Sequence, residues 1–325
     1  MAITTTVVGS YPKPPEEGQP FLLRKTLHAV ERGEASGEDV VRAQEELTRA
    51  IISEQEGAGI GVITDGQVRW DDLLSPWARN IAGFEIGGLL RFFDNNVYYR
   101  RPVCTGEIEW RGPSSVEAWS FADSVATRPV KAVIPGPVTF ARLSVDEHYG
   151  DYEAFVLALA LVLAQEAFEL EAAGARHIQI DEPSLVDAPD DLELAARALD
   201  LVTGELEQVE VTLATYFGDA KRLGADLFSL PVTTFALYLV SGPANWELVD
   251  ELPHGKKLQS GIVNARNTRL EGEPELSRDI DHLAKKVGAE RLMVAPSCGL
   301  EFLPRENARR KLERLAAAAA ERVGE

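Results

Sequence analysis

Two adjacent carboxylates followed by a proline, Asp181-Glu182-Pro183, close the apolar run His177-Ile178-Gln179-Ile180. A strand that ends this way delivers acids to a rim and cannot continue, because Pro183 has no amide hydrogen for a sheet ladder. Carboxylates so placed serve acid–base chemistry or hold an ammonium group; the plainer alternative is a helix cap with a solvated neighbour. Further polar words end other β-rich runs: Gly9-Ser10-Tyr11-Pro12, Asp65-Gly66-Gln67, Gly136-Pro137-Val138-Thr139, Thr215-Tyr216-Phe217-Gly218, Pro231, Asn264-Ala265-Arg266-Asn267 and Pro296-Ser297-Cys298-Gly299. Singly, Gly9 and Gly136 read as turn formers, Asp65 and Asn264 as caps, and Cys298 as a buried thiol. Jointly they suit a small zwitterion: Asp181 or Asp65 for an ammonium, Ser10 and backbone N–H groups for a carboxylate, Arg266 for an anionic tail.

The elements that would position these groups alternate along the chain. Strands are expected at 4–9, 61–64, 131–134, 177–180, 209–215, 227–230, 258–263 and 292–295, and helical periodicity at 40–56, 152–173, 191–206, 275–287 and 305–323. Gly174, Gly224 and Gly288 follow helical runs, as C-terminal glycines do. Repeated strand–helix alternation predicts an α/β fold, a (β/α)8 TIM barrel, in which functional groups gather at the carboxyl ends of the strands. Residues 67–129 break the rhythm with Trp, Tyr, Arg and alternating positions. They are expected to form a β-rich insertion after strand 2, a hairpin with short helices covering one end of the barrel. No Gly/Ser/Pro linker sets this insertion apart, so residues 1–325 are expected to form one TIM-barrel domain.

Composition narrows the partners. A formal charge of -19 over 325 residues repels nucleic-acid phosphates and anionic lipid, so no nucleic acid and no membrane is expected as a partner. No apolar run reaches the roughly 18 residues of a membrane span. The opening Met1-Ala2-Ile3-Thr4-Thr5-Thr6 has neither a basic nor an apolar signal segment, so a cytoplasmic location is expected. Two cysteines, Cys104 and Cys298, make no disulfide framework, and the five histidines show no metal-ligand spacing. His177 opens a strand, away from the rim, and reads as structural.

The strand-end words, in their order, resemble the cobalamin-independent methionine synthase family: Gly9-Ser10-Tyr11-Pro12, Gly136-Pro137-Val138-Thr139, Ile180-Asp181-Glu182-Pro183 and Cys298-Gly299-Leu300. The resemblance spans essentially the whole chain, about the length of one of the two barrels of the full-size enzyme. It implies a methyltransferase that moves a methyl group from a folate, or a corrinoid, to the thiol of homocysteine, with zinc lowering the thiol pKa. By resemblance Val8, Gly9 and Ser10 hold the amino acid carboxylate and Asp181 its ammonium, with Glu182 as neighbour and base. Asp65, Gln67, Gly136, Thr139 and Arg266 join the substrate site, and residues 99–106 and 136–139 border the folate.

The family's zinc positions fall on Leu213, Thr215, Pro231 and Cys298, of which Cys298 alone is a strong ligand type. Zinc would therefore need other donors, such as Asp65 and a residue of the insertion, or the thiol a base such as Glu182. The words Thr215-Tyr216-Phe217-Gly218 and Gly261 to Asn267 look more like the family's amino-terminal barrel. Two further readings stay open: a zinc-independent lyase or transferase on a small thioether or carboxylate, and a non-catalytic amino-acid or folate-binding homologue. A separate methyl-donor or partner protein is compatible with either.

Overall fold

The computed structural model describes residues 3–95, 97–240 and 242–320. Its strands are β1 Thr4–Thr5, β2 Ile81–Arg91, β3 Tyr98–Trp110, β4 Ala132–Pro135, β5 Val145–Asp146, β6 His177–Asp181, β7 Glu210–Thr215, β8 Thr234–Tyr238, β9 Lys257–Val263 and β10 Leu292–Pro296. Its α-helices are α1 Leu22–Glu31, α2 Gly37–Gly57, α3 Ser75–Asn80, α4 Val116–Val125, α5 Pro137–Arg142, α6 Tyr152–Ala173, α7 Leu192–Thr203, α8 Asn245–Val249, α9 Glu273–Val287 and α10 Arg305–Ala320. The expected last helix ran to Val323, which lies outside the described residues.

Local signals explain the long helices. The Asp151 carboxylate accepts the Ala154 N–H at the start of α6, and Gly174, at φ 113°, ends it in the left-handed conformation that glycine adopts without strain. Ser36 and Asp39 form a reciprocal capping box at α2. The parallel sheet has the hydrogen-bonded order β1-β10-β9-β8-β7-β6-β4, and β2, β3 and β5 form a second sheet. Parallel strands joined through helices are the α/β barrel class.

The chain divides into two compact units: Met1–Arg69, Ala118–Val130 and Gly261–Glu325 form one, and Trp70–Glu117 with Lys131–Ser260 form the other. In the first, β1 pairs with β10 in the register Thr4↔Met293 and Thr5↔Val294. The expected second strand is reduced there to parallel bridges, Thr6↔Val62 and Ile63↔Val130. In the second, β4, β6, β7 and β8 run parallel, with Pro135 opposite Asp181, Asp181 opposite Ala214 and Thr215 opposite Leu237. The second unit also holds the antiparallel pair β2–β3, with β5 alongside β3.

The sixth strand is not where the sequence placed it. Leu227 and Leu230 are buried, but 225–229 is a 3-10 turn, and the strand is β8 at Thr234–Tyr238. Apolar character alone does not separate a buried turn from a buried strand. The β-branched and aromatic run after Pro231 is the better strand former, and it pairs with β7. Pro231 consequently precedes this strand and does not end one. Helix α1 was not expected at all; it buries only Leu23.

Candidate active site

In the unit that carries β6, Asp181 is the last strand residue and is 3% exposed. Its Oδ1 accepts a hydrogen bond from Gln179 Nε2 at 2.7 Å and its Oδ2 one from the Tyr216 hydroxyl at 2.9 Å. Gln179 reaches it because residues i and i+2 of a strand share a face. Tyr216 follows β7, next to β6. Behind Gln179 lies Lys131, whose Nζ donates to Gln179 Oε1 at 2.6 Å and to Gln259 Oε1 at 3.1 Å. Two neutral donors on an acid at a strand's carboxyl end suit a carboxylate meant for a cation.

Glu182 faces differently. It is fully buried, and its Oε1 and Oε2 accept the backbone N–H groups of Val138 and Thr139 at 2.9 and 2.7 Å. Those groups open α5, where a helix leaves N–H donors without internal partners. The Thr139 hydroxyl in turn accepts the Ser184 N–H at 3.1 Å, which ties the turn after β4 to the turn after β6. Burial pushes the Glu182 carboxyl up to about 7, against the pull of these donors. Gly136 lies directly under it, and a Cβ there would overlap the Glu182 carboxylate. Glu182, Gly136 and Thr139 therefore form a structural clasp beside Asp181.

An aromatic cluster runs outward from Tyr216. Phe217 contacts it edge-on at 4.6 Å and also meets Phe92 and Phe93, at 6.1 and 5.4 Å, from the β2–β3 connection. Phe93 and Phe217 both have left-handed backbones, φ 49° and 68°, a conformation costly for aromatic residues. Tyr99, at the start of the stretch expected to border the folate, is buried and donates its hydroxyl to the Leu143 carbonyl at 2.9 Å. Cys104 in the same stretch is buried.

The other unit holds the remaining expected residues. The Ser10 hydroxyl donates to Glu301 Oε2, and the Ser10 carbonyl accepts the Leu300 N–H at 3.0 Å. Gly299 sits between them: a Cβ there would overlap both Ser10 Oγ and the Glu301 carboxylate. Val8 and Gly9 are buried, and the Gly9 carbonyl accepts the Thr64 hydroxyl at 2.6 Å. Asp65 is half-buried and accepts the Gln67 N–H at 2.9 Å; burial raises its carboxyl, offset by that N–H and by Lys13 and Arg69. Burial also raises the Glu301 carboxyl, although solvent still reaches the residue. Arg266 is exposed, with its N–H turned to Asn264 Oδ1 at 2.8 Å.

Cys298 belongs to this group, with its thiol fully buried. Burial first, then the negative charge of Glu301, push it well above the ordinary thiol range, against smaller pulls from Arg266 and Ser297. A low-dielectric pocket disfavours the thiolate that a metal ligand or nucleophile must be. Of the positions that the resemblance matches to zinc ligands, Leu213 is buried in β7 and Thr215 spends its hydroxyl on the Ala236 carbonyl at 3.2 Å; Pro231, matched as the end of the sixth strand, precedes β8 and so does not stand at a strand's carboxyl end. Among the described residues no cluster of three His, Cys, Asp or Glu forms a metal-binding set. The residues present do not fit the family's zinc ion.

Sequence reasoning missed Lys131, Gln179, Tyr216 and Glu301. Signals existed for two of them: a lysine opening an apolar strand, and a tyrosine in a strand-end word.

A parallel α/β barrel with polar groups at its strand ends defines a barrel protein of the enzyme-bearing type. Residues 2–321 match the sequence profile of the cobalamin-independent synthase catalytic domain, and the chain belongs to that family. It is 32% identical over 315 residues to the methionine synthase of Saccharolobus solfataricus, covering 95% of this chain and 92% of that one. It is 31% identical over 312 residues to the methionine synthase of Pyrococcus abyssi, covering 95% and 90%. The fold is shared with the B12-independent methionine synthase of Shewanella sp. W3-18-1, solved with selenomethionine: TM-score 0.86, 22% identity, 99% and 98% of the two chains covered. A putative vitamin-B12 independent methionine synthase from Listeria monocytogenes matches with TM-score 0.79 and 19% identity over 100% of both chains. No helix among the described residues is long and apolar enough to cross a membrane.

Proposed function

We propose that this chain is a methyltransferase whose acceptor is an amino acid thiol, homocysteine being the one that suits the site, and whose donor is a methyl-folate or methyl-corrinoid. The observation that carries the reading is Asp181: a buried carboxylate at a strand's carboxyl end, held by Gln179 and Tyr216. Membership of a synthase family supports the same chemistry. In the reaction the acceptor sulfur forms a bond to the methyl carbon while the donor's bond to that carbon breaks, its electron pair staying with the donor. The thiol proton passes to the departing donor or to solvent, and the chain's own contribution is to orient the acceptor through its ammonium.

Leu213 and Thr215 at positions that the resemblance matches to zinc ligands, and a fully buried Cys298, favour a second reading, a homologue that binds the amino acid and leaves thiol activation to another component. One experiment separates the readings from the start. Calorimetric titration with homocysteine, methionine and methyltetrahydrofolate is expected to show homocysteine binding that Asp181→Asn abolishes. Absence of binding by all three would sink the methyltransferase reading. Binding without turnover, restored by a separate methyl-donor protein, would favour the second.

A further inference from the structure

We propose that Lys131 is a positioning residue for Asp181, acting through the amide of Gln179 to hold the carboxylate for a substrate ammonium. The inference rests on the amino-acid reading of Asp181 given above.

Lys131 is 2% exposed and immediately precedes β4. The register Val133↔Gln179, with strand alternation, puts Lys131, Gln179 and Asp181 on one face of the sheet. A buried ammonium is costly unless its hydrogens are used, and a hydrophobic residue would serve packing better. An ammonium has hydrogens to donate and no lone pair, so whatever faces it must accept. Gln179 Oε1 and Gln259 Oε1 meet that demand with amide oxygens. For Gln179 the consequence is directional. With Oε1 turned to Lys131, its NH2 group is left to face Asp181, where it donates at 2.7 Å. Without Lys131 the amide could rotate and set oxygen against the carboxylate.

The charges around Lys131 fit this role. Asp181 on β6 and Glu210 on β7 attract its proton, and His177 on β6 and Lys257 on β9 lie beside Glu210. Burial outweighs the attraction and brings the Lys131 ammonium down to about 7. The protonated amine can only donate, so it fixes the orientation of Gln179 as long as it carries its charge.

The test is calorimetric titration of the full chain with L-homocysteine and with 4-mercaptobutanoate, which has the same thiol and carboxylate but no ammonium. The wild type is expected to prefer homocysteine; no preference would overturn the ammonium reading of Asp181 itself. Given that preference, Lys131→Met is expected to weaken homocysteine roughly ten- to hundredfold, the scale of one hydrogen bond to a charged group, and to leave 4-mercaptobutanoate unchanged. Gln179→Met should reproduce that loss, and Lys131→Met combined with Gln179→Met should be no weaker than Gln179→Met alone. Equal weakening of both ligands, or losses that add, would overturn the positioning role. If Lys131→Met does not fold, Lys131→Gln, whose amide accepts as readily as it donates and so no longer fixes Gln179, carries the comparison: selective loss supports the role and parallel loss overturns it.

Discussion

Replacing Gly136 by alanine should be unusually damaging, and only because of Glu182. The backbone of Gly136 is ordinary, φ -82° and ψ 150°, so an alanine there is conformationally acceptable and should even reduce unfolded-state entropy. The obstacle is the Glu182 carboxylate, which a Cβ would overlap. Glu182 is fully buried and cannot withdraw without releasing Val138 N–H, Thr139 N–H or both. Each such bond to a charged group is worth roughly 1.5–3 kcal/mol, so Gly136→Ala should cost about 3 kcal/mol or more. That is a large share of a typical stability of about 5–15 kcal/mol. The assay is urea denaturation at pH 8 of Gly136→Ala, Glu182→Ala and the double variant. With the carboxylate gone the alanine fits, so in the Glu182→Ala background the same change should cost less than about 0.5 kcal/mol, a coupling of about 3 kcal/mol. An equal cost in both backgrounds would show that Gly136 is needed for something other than Glu182.

Three further outcomes follow from buried polar groups. The Glu182 carboxyl is raised to about 7 in the folded protein, so its stabilising protonated form is fully present below the ordinary carboxylate value and lost as pH rises through 7; the wild type should lose about 3 kcal/mol between pH 4.5 and 8 relative to Glu182→Gln. Parallel stability curves for the two proteins would contradict this. The fully buried Lys311 ammonium pairs with Glu271 at 2.9 Å, and Glu271 also accepts the Asn264 N–H; Lys311→Met should cost about 3–5 kcal/mol, and Lys311→Met with Glu271→Leu should be more stable than either single change in denaturant titrations. Glu54 accepts from the Tyr11 hydroxyl at 3.0 Å and from Arg305 Nε at 2.9 Å, so Glu54→Leu, which strands a buried guanidinium, should lower thermal stability several times more than Tyr11→Phe, about 1 kcal/mol.

Much of the scaffold could be read from residues whose local physics is decisive. Pro183 ends β6, and Asp151 with Gly174 bounds α6, whatever the rest of the chain does. The sixth strand was misplaced because Leu227-Phe228-Ser229-Leu230 and Thr234-Phe235-Ala236-Leu237-Tyr238 are both apolar and only pairing with β7 chooses between them. The site divides the same way. Asp181 announces itself by sequence, but its neighbours depend on register: Lys131 is 48 positions from Gln179 and 128 from Gln259 along the chain, and Tyr216 is 35 from Asp181. Glu182 shows the limit from the other side. Its neighbour in the motif faces a strand end, while it turns into the protein and holds the start of α5, a difference of one residue and therefore of face. Ser10, expected on a substrate carboxylate, donates to Glu301, which no spacing pattern links to it.

The most direct measurement is methyl transfer itself, with L-homocysteine as acceptor and methyl-labelled methyltetrahydrofolate or methylcobalamin as donor, in wild type and Asp181→Asn. Labelled methionine from the wild type, reduced at least about tenfold in Asp181→Asn by loss of the charged partner, is the expected result. A wild type that binds homocysteine yet yields no labelled methionine with either donor would contradict it.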